Sequence, residues 1–224
     1  MIRTASKLLA LAALTAACSQ EAPAPEAGLA TPEPTADPDL ATAEAFIDAF
    51  YSFDRARLEP LLAEAKDTAE GLLYYQGWAE GGNYEVLERM PCARGEEDVV
   101  ACPVTVQDDP VVALGTGFNV TDTFHLTFED GVIVKVETSS NDQPIYFQAR
   151  QWVEANMPEV MEGACANGDT DAGTPADCAR AMTAGYAAFA ASADFPGVPP
   201  LPGTEEVEAA MEQLEGALPG MPEG

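Results

Sequence analysis

Three kinds of side chain in this 224-residue chain could carry chemistry: its one histidine, a few carboxylates in apolar company, and a set of tyrosines and tryptophans. His125 stands in "TDTFHLTFEDGVIVKVETSS", and imidazole is the side chain whose unperturbed titration falls near neutrality. Side chains alternate along a strand. Phe124, Leu126 and Phe128 therefore share one face with Val132, Val134 and Val136 across the turn, and His125 shares the other with Thr123, Thr127, Lys135 and Glu137. The apolar face must be the core side. A catalytic base has to reach its proton, so His125 is expected to be a solvated or interface residue. Two carboxylates do alternate onto apolar faces: Glu88 with Tyr84, Val86 and Met90, and Asp122 with Phe124. Held against a core, either would have a raised pKa and could act as acid or base. The alternative for Glu88 is a rim or bulge position where the alternation fails. Glu88 and Asp122 are candidates only, and no catalytic residue is assigned. Phosphate-binding glycine loops, G-x-S-x-G and H-E-x-x-H are all absent.

The elements that must position these residues are legible from periodicity. Ala43, Phe46, Ile47, Phe50 and Tyr51 follow helical spacing, as do Leu58, Leu61, Leu62 and Ala65. A third helix runs through "TAEGLLYYQGWAE" and is stopped by Gly81-Gly82. The period then becomes two in "NYEVLERMPC", in "VVACPVTVQ" and in a hairpin turning at Asp130-Gly131. Further helices follow in "QPIYFQARQWVEANMPEVMEG", broken at Pro158, and in "ADCARAMTAGYAAFAAS", where Met182, Tyr186, Phe189 and Ala193 share a face. Helices followed by an antiparallel sheet make an α+β domain.

"ATAEAFIDAFYSFDRARLEPLL" together with "HLTFEDGVIVKVETSSN" resembles the nuclear transport factor 2-like (SnoaL-like) superfamily over about residues 40–160. The resemblance implies a cone of N-terminal helices on a curved antiparallel sheet, here with extra C-terminal helices, and a pocket between helices and concave face. Tyr51, Tyr74, Tyr75, Trp78, Tyr84, Phe124 and Trp152 would fall near that cone. The expected pocket set is Tyr51, Tyr74, Trp78, Tyr84, Glu88, Phe124 and Trp152: aromatic walls with a few polar handles, as small-molecule sites need. Simple core packing explains the same residues. Several enzymes of the superfamily pair Asp with His in the cone, and His125 cannot supply that pair. Ketosteroid isomerase, which uses carboxylates and a Tyr, leaves an isomerase or lyase using Glu88 or Asp122 open.

The chain opens with "MIRTASKLLALAALTAACSQ", in which basic residues, an apolar run and small residues follow in the order of a secretory signal. "LTAAC" resembles the lipobox of bacterial lipoproteins, with Thr15 where Leu is usual, which implies cleavage before Cys18 and its lipidation. Ser19 in place of Asp implies the outer membrane. The expected layout is a signal peptide over 1–17, the lipidated Cys18 and a Pro/Ala/Glu tether over 18–38, the domain over 39–195, and a Pro/Gly-rich acidic tail over 196–224. The formal charge of −28 becomes about −30 once Arg3 and Lys7 leave with the signal. That balance excludes nucleic acid as a partner, because binding it needs Lys and Arg against phosphates.

Setting Cys18 aside leaves four cysteines in a compartment where disulfides persist. Without a C-x-x-C or a second His, a zinc site is not expected. Cys92 and Cys102 fall opposite each other if a hairpin turns near Glu97, on the face of Met90 and Val100. Cys165 and Cys178 bracket a polar loop, so local pairing predicts Cys92–Cys102 and Cys165–Cys178. The functional expectation is a non-enzymatic, lipid-anchored periplasmic protein without cofactor or metal, whose cone binds a small apolar ligand or an envelope protein. The rivals are the isomerase or lyase and a structural protein with a filled cone.

Overall fold

The computed structural model describes residues 37–95, 98–166 and 174–199. The expected signal peptide, Cys18, nearly all of the tether, the turn at Glu97 and residues 200–224 of the tail lie outside these described residues. The domain is α+β. Helix α1 (Pro38–Phe50) starts on the Asp37 cap, whose carboxylate accepts from the Asp39 N–H, and Pro38 at the first turn fits because its missing N–H is unused there. A short α2 (Arg55–Leu58), a 3-10 turn (Glu59–Leu62) and the long α3 (Lys66–Gly81) follow. The sheet comprises β1 (Glu85–Arg89), β2 (Ala93–Arg94), β3 (Val100–Gln107), β4 (Val120–Glu129) and β5 (Val132–Ser140). Its order is β1-β3-β4-β5, every pair is antiparallel, and β2 also pairs with β3. One turn of helix, α4 (Asp109–Ala113), links β3 to β4. At five residues it is too short to show a helical repeat in the sequence. Helices α5 (Pro144–Asn156), α6 (Pro158–Glu162) and α7 (Pro175–Ala190) end the domain.

Even-numbered residues of β3 and β4 face the helices: Val100, Cys102, Val104, Val106, Val120, Asp122, Phe124 and Leu126 are all buried. They close on Phe46, Ile47 and Phe50 of α1 and on Leu58, Leu62 and Leu72 to make the first core. A second core gathers Ile145, Ala149 and Val153 of α5 with Met182, Tyr186 and Phe189 of α7. Ala193 does not share that face, because α7 ends at Ala190 and Ala193 is exposed.

Two irregularities overturn the simple alternation. Between Thr127 and Phe128 the β4–β5 register shifts, so that Thr127 opposes Lys135 but Phe128 opposes Ile133. The extra residue, Val134, rotates the strand. Ile133 is 1 % exposed and takes the core place expected for Val132, which is 45 % exposed, and Val134 is only half-buried. In β1 the register shifts between Val86 and Glu88. Asp130 and Gly131, both with positive φ, make the two-residue turn of the β4–β5 hairpin.

Both expected disulfides are present. Cys92 meets Cys102 with Cα atoms 4.3 Å apart, just beyond the register pair Ala93–Ala101, and Cys165 meets Cys178 at 4.5 Å. Met90 does not share the cystine's face. It is 56 % exposed while Val100 is buried, because the pairing advances by one residue between Arg89–Val104 and Ala93–Ala101. Arg89 and Arg94 then tie β1 and β2 to α1, Arg89 to Glu44 and Asp48 and Arg94 to Asp37 and Asp39.

Candidate functional site

The helix-facing side of β4 and β5 continues past the first core and ends in a cavity of about 390 Å³. Helix α3 supplies Tyr74, Tyr75 and Trp78, and Tyr84 follows just beyond its end. The sheet supplies Val120, Asp122, Thr138, Ser139 and Ser140. Asp142, Tyr146 and Arg150 come from the start of α5, and α6, α7 and the second cystine close the far side with Met161, Met182 and Tyr186. The volume lies within the range of small-molecule sites.

Asp122 is the polar centre. It points inward beside Phe124 and is 5 % exposed. Tyr75 donates its hydroxyl to Asp122 Oδ2 at 2.6 Å. Burial pushes the Asp122 carboxyl up to about 6, against the pull of the Tyr75 hydrogen bond and with the help of the neighbouring Asp142 charge. Burial likewise raises Asp142, which accepts from the Ser140 hydroxyl. Behind the wall lies Asp108, 2 % exposed, whose Oδ1 accepts from the Val111 N–H at 2.8 Å and caps α4. Burial pushes its carboxyl up to about 7, the Val111 N–H opposing and the carboxylates of Asp122 and Asp142 adding to the rise. The phenols of Tyr75, Tyr84 and Tyr146 are held well above their ordinary value, first by burial, so they stay neutral donors. Tyr186 is fully buried and its hydroxyl has no hydrogen-bond partner among the described residues.

The structure brings together some of the expected site residues and removes others. Tyr74, Trp78, Tyr84 and Asp122 line the cavity, as does Tyr75. Glu88 does not. The extra residue Leu87 sets Glu88 opposite Thr105, on the sheet's outer side, where it is exposed. Phe124 is fully buried in the first core, edge-on to Phe46, Phe50 and Tyr51 with centroids 4.8–6.1 Å apart. Tyr51 therefore belongs to that packed cluster and not to the cavity wall. Trp152 faces the opposite side of α5 from the cavity, packs on Phe189, and donates its indole N–H to Asp194 at 2.8 Å. His125 lies opposite Ala101 and Glu137, with Nε2 2.9 Å from the Ser139 hydroxyl and no place in the cavity wall.

No family model, curated protein or solved structure matches this chain.

The residues that periodicity missed are Asp142, Tyr146, Arg150 and Tyr186, with Asp108 behind them. The helical spacing of Tyr186 with Met182 and Phe189 shows its face but not the cavity. For Asp108 a signal existed in "QDDPVVA": an Asp cap with Pro in the first turn announces a helix start. Chemically, the arrangement offers inward-facing carboxylates that can carry charge or a proton, fixed phenol donors, and aromatic walls for a hydrocarbon body.

Proposed function

We propose that the domain binds a small, largely hydrocarbon molecule in this cavity, holding it by aromatic contact and orienting it through Asp122 and the phenol hydroxyls. One observation carries the reading: next to a tightly filled first core, about 390 Å³ is left open and walled by five tyrosines and a tryptophan. A core that only needed filling would not stop there, because interiors pack to the density of organic crystals. Saturation-transfer NMR against a set of small aromatic and alicyclic compounds tests it. Several should bind, and Met182→Trp, which pushes an indole into the cavity from α7, should weaken them at least tenfold. Binding unchanged by that substitution would place the ligands elsewhere and sink the reading.

A second reading has its own support. The Tyr75–Asp122 pair, with a carboxyl titrating at about 6, is equipped for proton abstraction in an isomerase or lyase. It is distinguished by Asp122→Asn, which would abolish turnover of a bound compound.

The cellular setting is proposed from the leader sequence alone. Acylated Cys18 anchors the domain to the periplasmic face of the outer membrane, with residues 19–36 as spacer. Cys18→Ser should abolish fatty-acid labelling in a bacterial host. Labelling at the wild-type level would rule the anchor out.

A further inference from the structure

The cavity's charge is unbalanced, and that imbalance points to a class of ligand. Asp122 and Asp142 line it with Asp108 close behind, and none of the three forms an ion pair among the described residues. The one cation in the wall, Arg150, is exposed at the mouth and already gives its Nε–H to Glu154 at 3.0 Å. Buried carboxylates are normally paired, because an ion that leaves water uncompensated is strongly unfavourable. A domain free to choose would pair these groups or replace them.

The rest of the wall is also of the kind that receives positive charge. Trp78 and the tyrosines carry electron-rich ring faces, which attract a cation lying within about 6 Å of the ring centre. Met161 and Met182 add polarisable thioethers. The described residues hold no cluster of three or more metal-ligating side chains, so an inorganic ion has no cage here. Tyr186 also borders the cavity, its hydroxyl buried beside Tyr146.

We propose that the cavity takes an organic ammonium ion, its charge met by Asp122 and Asp142 and its hydrocarbon body laid against the tyrosines and Trp78. The proposal rests on the reading of the cavity as a ligand site and adds its chemical class. A pH dependence follows. Asp122 is faced by Tyr51 from the end of α1, Tyr75 from α3, Tyr84 beyond it, Asp108 ahead of α4 and Asp142 after β5, with Tyr146 and Arg150 of α5 and Tyr186 of α7 around the cavity. The tyrosines with raised pKa values stay neutral and Arg150 stays charged throughout the accessible range, so the carboxylates alone set the profile. Protonating them on acidification removes the attraction, and affinity for the ammonium falls as pH drops through about 6.

The test is calorimetric titration of the full mature chain with 2-phenylethylammonium and with the neutral 2-phenylethanol, at pH 7.5 and 5.0. Salt at 0.3 M would screen diffuse attraction to the acidic surface. The ammonium should bind at least tenfold tighter than the alcohol at pH 7.5. That preference should be cut severalfold at pH 5.0 and in both Asp122→Asn and Asp142→Asn, with circular dichroism confirming that each variant folds. An alcohol that binds as tightly as the ammonium, and is displaced by Met182→Trp, overturns the ammonium class while leaving a ligand site. An ammonium that binds Met182→Trp as well as wild type is held by the outer surface, which also overturns the proposal. Absence of binding by both probes at millimolar concentration overturns the ligand reading along with it.

Discussion

Asp108→Asn is expected to stabilise the domain at pH 8 by about 2–4 kcal/mol and to change its stability little at pH 4. The sign follows from burial. In the unfolded chain an Asp titrates near 3.9, whereas burial holds the folded Asp108 carboxyl up to about 7. Between those values the folded protein keeps a proton that the unfolded chain has released, so stability falls as pH rises from about 4 to about 7. Above that the loss is complete. Asparagine never ionises and escapes it. It also keeps the cap, because its side-chain oxygen can accept from the Val111 N–H at the 2.8 Å now observed, and Asn caps helices as well as Asp. Urea unfolding at the two pH values decides the matter. Equal shifts at both would mean that the effect comes from packing, and a loss at pH 8 would mean that the ionised group is paired and favourable. The stabilisation should extend to Asp122, whose charge lies close enough to raise Asp108.

This expected gain bears on why the residue is there. Natural domains give up stability where a site needs it, and in this one two buried acids, Asp108 and Asp122, and the half-buried Asp142 lie around one cavity with no ion-pair partner among the described residues. Asp108 touches no ligand space itself. Its contribution is potential: in the folded state it deepens the negative field that Asp122 and Asp142 present to the interior. Removing it should therefore stabilise the protein and weaken cation binding together. That pairing separates an acid kept for function from one kept for folding.

What the sequence discloses and what it hides divide along physical lines. Element order, the Asp130-Gly131 turn and both cystines depend on local spacing, which a reader of the chain can count. Faces are another matter. A single extra residue at Leu87 carries Glu88 from the helix side to the outer side, and another at Val134 exchanges Val132 for Ile133. The adjacent apolar residues Val86-Leu87 and Val132-Ile133-Val134 break the alternation at both bulges, but such a run alone does not say which residue is the extra one. The aromatic set splits for a similar reason. Phe124 and Tyr75 are both strongly apolar in their elements, but Phe124 meets three rings from α1 and is sealed. Tyr75, whose ring stacks on Phe124, reaches past it to Asp122 with its hydroxyl. Which of the two borders open space depends on how far α5 and α7 stand off the sheet, a tertiary distance that no local pattern encodes. The places of Asp142, Tyr146 and Tyr186 in the cavity wall depend on that same tertiary distance.

The spacing between α3 and α7, which carry much of the cavity wall, is fixed in part by one glycine, and Gly81→Ala should destabilise the domain by about 3 kcal/mol. Taken alone, α3 would gain: alanine is the better helix former by up to about 1 kcal/mol. Tertiary contact reverses the sign. A methyl placed on Gly81 would lie 2.2 Å from the Ala176 carbonyl oxygen and 2.3 Å from its Cα, both backbone atoms in the first turn of α7. Backbone cannot swing aside as a side chain can. Here α7 is pinned by its Thr174–Asp177 capping box and by the Cys165–Cys178 bridge. The glycine thus serves close approach. The left-handed residue that ends α3 is Asn83, at φ 52°, while the cap at Gly82 has an ordinary negative φ. Gly71 in the same helix is the control: a methyl there meets nothing within 4 Å, so Gly71→Ala should stabilise by about 0.5–1 kcal/mol. Thermal unfolding of the pair should show opposite shifts, a fall of roughly 8 °C against a rise of roughly 2 °C. A Gly81→Ala midpoint at or above wild type would mean that α3 and α7 do not touch there. Because Tyr74, Tyr75 and Trp78 stand on one of these helices and Met182 and Tyr186 on the other, prying them apart should also cost the cavity its ligand, even at temperatures where the variant remains folded.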